Sequence, residues 1–434
     1  MILAVVVLFP LGCAVLHGAL APWRFRRLVF GLLLAHLVLI LVASASQGIG
    51  FGASVALDSF GRYALIVADL TLMAALATVG EGKTAGDVVP IGLAALTVVA
   101  LSMVASQNFV LACLGLGTAA IILSFTIVSA PSSAVSVHTG QTYVVWMLIA
   151  TVLLLFASSL DRLYARQALP GVVEPAAVFV VLGFAIVLGA FPFSLWLPSV
   201  CEEAPASAAI VVGLLSCSAI ALLLGTDGFG PLLPRHLSSR STLAAGAALL
   251  AVGSQVLALG DKSPRRSLAF LIAASSDVVV AALASGAADE LATTIWMLGC
   301  HALAGALALS CLAVVAPPDD AGATADVAGL SGLVWRRPFL GVALVISVGG
   351  LIGAPLTAGF AGRLLVGAAE ASLPVVPLAL AGAGILGGMA ALRTFAPIFG
   401  PTDVPSQPIR VVDVVAFSVA LLLVLGGAFS RAIP

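Results

Sequence analysis

Apolar residues in this chain come in runs of about twenty, one after another from end to end, and this pattern restricts the fold more than any other feature. A hydrocarbon layer about 30 Å thick is crossed by about 20 apolar residues in helical form, and a helix satisfies its own backbone N–H and C=O groups there. About 14 such runs are separated by polar punctuation: residues 1–21, 27–45, 57–79, 88–105, 108–128, 141–160, 174–193, 204–224, 242–260, 266–285, 292–315, 338–370, 374–398 and 411–429. The chain therefore reads as an all-α polytopic membrane protein, with the bilayer as its first partner. Composition agrees, because 62% of residues are apolar and 9% charged, against about 45–50% and about 25% in a soluble domain. A formal net charge of −1 leaves no basic field for nucleic acid.

Lys and Arg counted in alternate loops give the orientation, since positive loops stay in the cytoplasm. One side holds Arg24, Arg26, Arg27, Lys83, Lys262, Arg265, Arg266, Arg336, Arg337, Arg393 and Arg410; the other holds Arg62, Arg162, Arg166, Arg235, Arg240 and Arg431. Both termini are expected on the outer side of the cell's inner membrane. The first run has no basic segment before it and three arginines after it, so it reads as a retained helix rather than a signal peptide. The longest polar stretch, Ala316 to Arg337, reads as a connection, which leaves residues 1–434 as a single membrane domain.

Two segments interrupt the pattern. Phe191 to Pro205 (FPFSLWLPSVCEEAP) places three prolines and two glutamates between apolar helices, pointing to a re-entrant or broken passage. Ser347 to Phe360 (SVGGLIGAPLTAGF) sets Pro355 among glycines inside one long run, pointing to a discontinuous helix whose freed backbone groups line a polar cavity.

The same segments carry a family resemblance. Phe191 to Pro205 resembles the P-F-H-x-W-x-P-D…E-x-A-P signature of the antiporter-like subunits of respiratory complex I and of their relatives in Mrp antiporters and membrane-bound hydrogenases. Ser347 to Arg363 resembles that family's S-L-x-G-x-P-P-x-x-G-F-x-x-K. Ala56 to Ala75 looks like its third helix, Arg265 to Ser276 (RRSLAFLIAASS) is similar to K-R-x-L-A-Y-S-S, and Trp296 to Ala308 (WMLGCHALAGALA) looks like Y-L-x-x-Y-x-x-x-N-x-G-A-F. The matches are collinear from about residue 56 to about 400 and nearest the N-type subunit of bacterial complex I. The resemblance implies 14 helices containing two inverted five-helix repeats, residues 88–224 and 242–398, with Pro198 and Pro355 at equivalent breaks. It also implies partner membrane subunits, with quinone bound by those partners.

The departures from the family are as informative as the matches. Its members carry a glutamate on helix five, lysines on helices seven and eight, and a lysine or glutamate on helix twelve. A desolvated lysine beside a carboxylate makes a good proton switch. Here Gly117, Val187 and Cys217 (or Ser218) occupy the first three positions, and only Arg363 retains a cation. The two lysines, Lys83 and Lys262, fall in loops. Guanidinium stays protonated at physiological pH, so a lysine-to-lysine relay is not expected.

The remaining intramembrane ionisable residues are candidates for a proton or ion pathway: Asp69, Asp277, His301 and Arg363, with Glu202 and Glu203 just after the first break. Asp69 needs a partner or a proton. Asp277 belongs to an axis or to helix packing. His301 shuttles a proton or is a satisfied core residue, with His36 and His17 weaker cases of the same kind. Arg363 is a counter-ion on the axis or a clamp on the broken helix. Glu202 and Glu203 guard a proton entrance or face the aqueous boundary, and Asp161 with Arg162 reads as an interfacial anchor.

Other signals are discounted. Gly382, Gly384 and Gly387 spell G-x-G-x-x-G without the strand–turn–helix setting of a dinucleotide site, so they read, with Gly349 and Gly353, as small residues for close helix packing. The six cysteines show no ligand spacing and read as packing residues. The sequence calls for no metal, cofactor or catalytic centre of its own. Three functions follow: an antiporter-like subunit of a multi-subunit proton-coupled redox complex with a degenerate proton axis, a non-translocating docking subunit of such a complex, or a membrane subunit for inorganic-carbon uptake.

Overall fold

A computed structural model describes residues 2–19, 22–45, 59–78, 83–105, 108–129, 133–167, 173–225, 240–285, 290–315, 329–401 and 406–428. Among them run α1 (Ile2–Ala19), α2 (Pro22–Ala45), α3 (Ser59–Thr78), α4 (Lys83–Val104), α5 (Phe109–Val128), α6 (Ser133–Gln167), α7 (Val173–Leu188), α8 (Trp196–Glu203) and α9 (Pro205–Gly225). The chain continues through α10 (Arg240–Gly260), α11 (Pro264–Ala284), α12 (Glu290–Val315), α13 (Leu333–Arg336), α14 (Pro338–Ile352), α15 (Ala358–Ala369), α16 (Val375–Phe395) and α17 (Val411–Ala428). No strand occurs among the described residues. Among the described residues eight helices, α3, α5, α6, α9, α10, α11, α12 and α16, are long and apolar enough to cross a membrane.

Local chemistry sets several ends. Asn108 caps α5, its side chain accepting from the amides of Val110 (3.1 Å) and Leu111 (3.4 Å). Pro264 and Pro338 open α11 and α14, where a missing N–H leaves nothing unpaired. Lys262 lies in the α10–α11 connection, whereas Lys83 is the first residue of α4 rather than part of a loop.

The centre is built from α9, α11 and α12, with α3 packed across α9 and α12. Apolar chains gain little by leaving lipid tails for one another, so helices associate through close packing and hydrogen bonds. Small residues supply the close approach: a methyl at Gly213 of α9 would meet Thr71 Cβ at 2.7 Å, and one at Gly305 of α12 would meet Val212 at 3.0 Å. Of the three glycines in the discounted motif, Gly387 packs tightly on Gln255, while Gly382 faces open space. All six cysteines are buried. Outward faces stay apolar, as at Phe125, Val152, Ile385 and Leu392, the surface a hydrocarbon layer covers.

Residues 316–328, Arg235, Arg431 and the side chains of His17, Arg24, Arg26, Arg27, Lys83 and Arg166 lie outside the described residues.

Candidate functional site: two interrupted helices and the polar groups between them

The first interruption begins where α7 stops at Leu188. Gly189 takes a positive φ of 65°, and the amides of Gly189 and Ala190 turn back onto the carbonyls of Ile186 (3.1 Å) and Ala185 (2.8 Å). Helix resumes at Trp196, so the break lies before Pro198, which sits in the first turn of α8, where an amide N–H would have no helical partner anyway. Backbone groups exposed by the break meet α11. Ser276 Oγ donates to Leu188 O at 2.7 Å, and Phe191 N donates to Asp277 Oδ1 at 2.9 Å. Ser254 Oγ of α10 donates to the other carboxylate oxygen at 2.7 Å.

The second interruption separates α14 from α15 and contains Pro355. Gly353 adopts φ 72°, and a methyl there would lie 2.6 Å from Arg363 Cδ, so both conformation and space require glycine. Arg363, in α15 and buried, reaches back to donate through Nη2 to Leu351 O (3.1 Å) and through Nη1 to Leu380 O of α16 (3.4 Å). A cation at the C-terminal end of α14 sits where free carbonyls and the helix dipole favour it.

Between the two breaks, His301 of α12 holds Nδ1 3.1 Å from Ser275 Oγ and Nε2 3.4 Å from Ser276 Oγ. Ser275, Cys300, His301 and Arg363 line one cavity of about 20 Å³, enough for a water molecule, with apolar walls from Val278, Val279 and Met297. His301 and Arg363 thus meet at one cavity. Asp277 stands two positions after Ser275 on α11, and Ser276 touches both His301 and the first break.

Asp69 lies elsewhere and does have a partner. His36 Nδ1 lies 2.9 Å and 3.0 Å from the two carboxylate oxygens, His36 Nε2 lies 2.8 Å from Val6 O, and Phe9 stacks on the imidazole with ring centres 5.7 Å apart. A carbonyl only accepts, so Nε2 carries hydrogen, and one further proton bridges Nδ1 and the carboxylate. Spacing within either helix gives no sign of this pair, although each member interrupts its apolar run.

Glu202 and Glu203 stand outside the seam. Glu203 accepts from Thr139 Oγ1 at 2.7 Å, while Glu202 is half-exposed, 3.9 Å from Arg266, which in turn bonds Asp261 at 3.1 Å. The positions where the family resemblance places lost charges are filled: Val187 is in the core, a methyl at Gly117 would meet Thr151 Cγ2 at a tight 3.3 Å, and Cys217 is buried within electrostatic range of Asp69.

Sequence reasoning missed the hydroxyls Ser254, Ser275 and Ser276. It also missed a buried ion pair, Arg337 Nε to Asp413 Oδ1 at 3.1 Å, which joins the starts of α14 and α17. An acid in the first turn of the last apolar run was its signal.

These features define a polytopic helical membrane protein with two interrupted helices whose freed backbone groups are met by buried polar side chains. Residues 106–387 match the family described as NADH:quinone oxidoreductase/Mrp antiporter, transmembrane, and the chain belongs to that family as an antiporter-like membrane protein. NADH-quinone oxidoreductase subunit N of Cereibacter sphaeroides is 30% identical over 254 residues, 58% of this chain and 54% of that one. Its counterpart in Rhodopseudomonas palustris is 29% identical over 413 residues, 91% of this chain and 87% of that one. The chain therefore spans about half of the first relative and most of the second. A chain of respiratory complex I from Thermus thermophilus with bound NADH shares the fold, with a TM-score of 0.82 at 18% identity, covering 100% of this chain and 96% of that one.

Proposed function

We propose that this chain is an N-type antiporter-like subunit of a multi-subunit, proton-coupled redox complex. It crosses the cell's inner membrane 14 times, as the apolar runs predict, with both termini on the outer side. Residues 88–224 and 242–398 form the two inverted repeats. Electron transfer and quinone binding belong to partner subunits. The chain contributes a partial proton path along Arg363, His301, Ser275, Ser276 and Asp277. The observation that supports this reading is that His301, which shares the cavity at the second break with Arg363, contacts Ser275 and Ser276, the residues just before the carboxylate of Asp277 that holds the first break.

A second reading, a non-translocating docking subunit, is favoured by the packing at Gly117, Val187 and Cys217, which closes the corresponding stretch of the first repeat. Reconstitution of the native complex with a pH-sensitive dye separates the two. Proton uptake per electron is expected to fall at least about tenfold in Asp277→Asn and Arg363→Ala with assembly intact, the order of effect of removing a proton-transfer group. Unchanged uptake in both assembled variants supports the docking role and ends the translocating one.

A further inference from the structure

We infer that the cavity at the second break is a binding site for one small monovalent anion of halide size, chloride being the obvious cellular example. Two sources of positive potential converge there, set against the free carbonyls at the end of α14. Arg363 is a buried guanidinium with five N–H donors, and its two bonds to Leu351 O and Leu380 O leave the others without an acceptor among the described residues. Ala358 and Gly359, the first residues of α15, also line the cavity. Among the described residues their amides have no backbone acceptor, since the first α15 N–H groups that turn back are Phe360 and Ala361, both onto Thr357 O. A half-helix N-terminus thus opens onto the same space as the arginine, and both the orphan amides and the dipole favour an anion.

The remaining polar side chains of the lining are the Ser275 hydroxyl, the Cys300 thiol and the His301 ring, with the backbone of Gly350 and Leu351 beside them, and no carboxylate lines the cavity among the described residues. A buried cation without a counter-charge is costly in a low-dielectric interior, and the carbonyls at Leu351 and Leu380 offset only part of that cost. A volume of about 20 Å³ admits a particle of water or halide size. The site does not depend on proton movement through the chain: the anion neutralises Arg363 whether or not the seam conducts.

The test uses the full chain with its native partner subunits, purified in gluconate at fixed ionic strength. Crystals exchanged into bromide are expected to show an anomalous peak beside Arg363, and chloride titration is expected to raise Tm in a saturable way. Arg363→Gln abolishes both effects. Arg363→Lys keeps a cation at the break but lacks the fork of donors and weakens halide affinity about 3- to 10-fold, which keeps the test decisive if Arg363→Gln fails to assemble. A cavity without an anomalous peak in folded wild type, or a Tm indifferent to chloride at constant ionic strength, overturns the proposal and leaves water as the occupant. Normal proton uptake in Asp277→Asn with the bromide peak intact would reject the transport reading alone.

Discussion

The two interrupted helices raise the same problem and solve it with opposite charges. At the first break a carboxylate from a different helix, Asp277, accepts from the exposed amide of Phe191, and Ser276 beside it covers the exposed carbonyl of Leu188. At the second break a guanidinium from the downstream half of the same helix, Arg363, covers the exposed carbonyl of Leu351. The first break is therefore held from outside, by α11, and the second largely holds itself. An exposed N–H calls for an acceptor and an exposed C=O for a donor, so the residue type at each break follows from which backbone group is left open.

Variants can probe that contrast, and the largest effect is expected from Asp277→Ala. It leaves the Phe191 amide and the Ser254 hydroxyl buried without an acceptor, at about 1–3 kcal/mol each, and thermal unfolding in detergent should show a loss near the sum. Retention of wild-type Tm would mean that α11 does not hold the first break. Arg363→Ala should cost less, about 2 kcal/mol, because water entering the adjoining cavity can take over the carbonyl of Leu351. Arg363→Lys should recover only part of that, since one ammonium cannot span two carbonyls as the fork does. Equal Tm values for the Lys and Arg forms would show that charge alone matters. The smallest effect is expected from Leu356→Gly. Leu356 holds φ 71° at the second break with its side chain 80% exposed, so glycine relieves strain without losing packing and should add about 1 kcal/mol. A destabilised Leu356→Gly would show that the exposed leucine is covered by something in the assembly.

Much of the fold was legible because a bilayer leaves the backbone so few options. Apolar run lengths and the Pro- and Gly-rich interruptions predicted the helices and the neighbourhood of both breaks. Pro198 misplaced the first break slightly, since proline is tolerated in a first helical turn and Gly189, the residue that ends α7, is one of 44 glycines in the chain. His301 and Arg363 could each be singled out as polar residues in apolar runs, but their meeting at one cavity depends on how α12, α14 and α15 cross, which spacing along one helix does not encode. The same holds for His36 and Asp69, 33 residues apart on different helices. Ser254, Ser275 and Ser276 were invisible because a serine in an apolar helix usually bonds its own backbone, as Ser216 and Ser218 do and as Ser276 does to Ile272 O alongside its contact with the break. Their role comes from the partner that the fold brings to them.

The buried pair between Arg337 and Asp413 bears on how the chain is made. The arginine precedes its carboxylate by 76 residues, so the translating ribosome delivers α14, α15 and α16 before the partner emerges. Until α17 arrives, the start of α14 carries a cation whose anion among the described residues has not yet emerged, and the final helix is the one that supplies it. Insertion of the last segment therefore acts as a latch on the second half of the protein, and a chain truncated before residue 413 would leave the latch open.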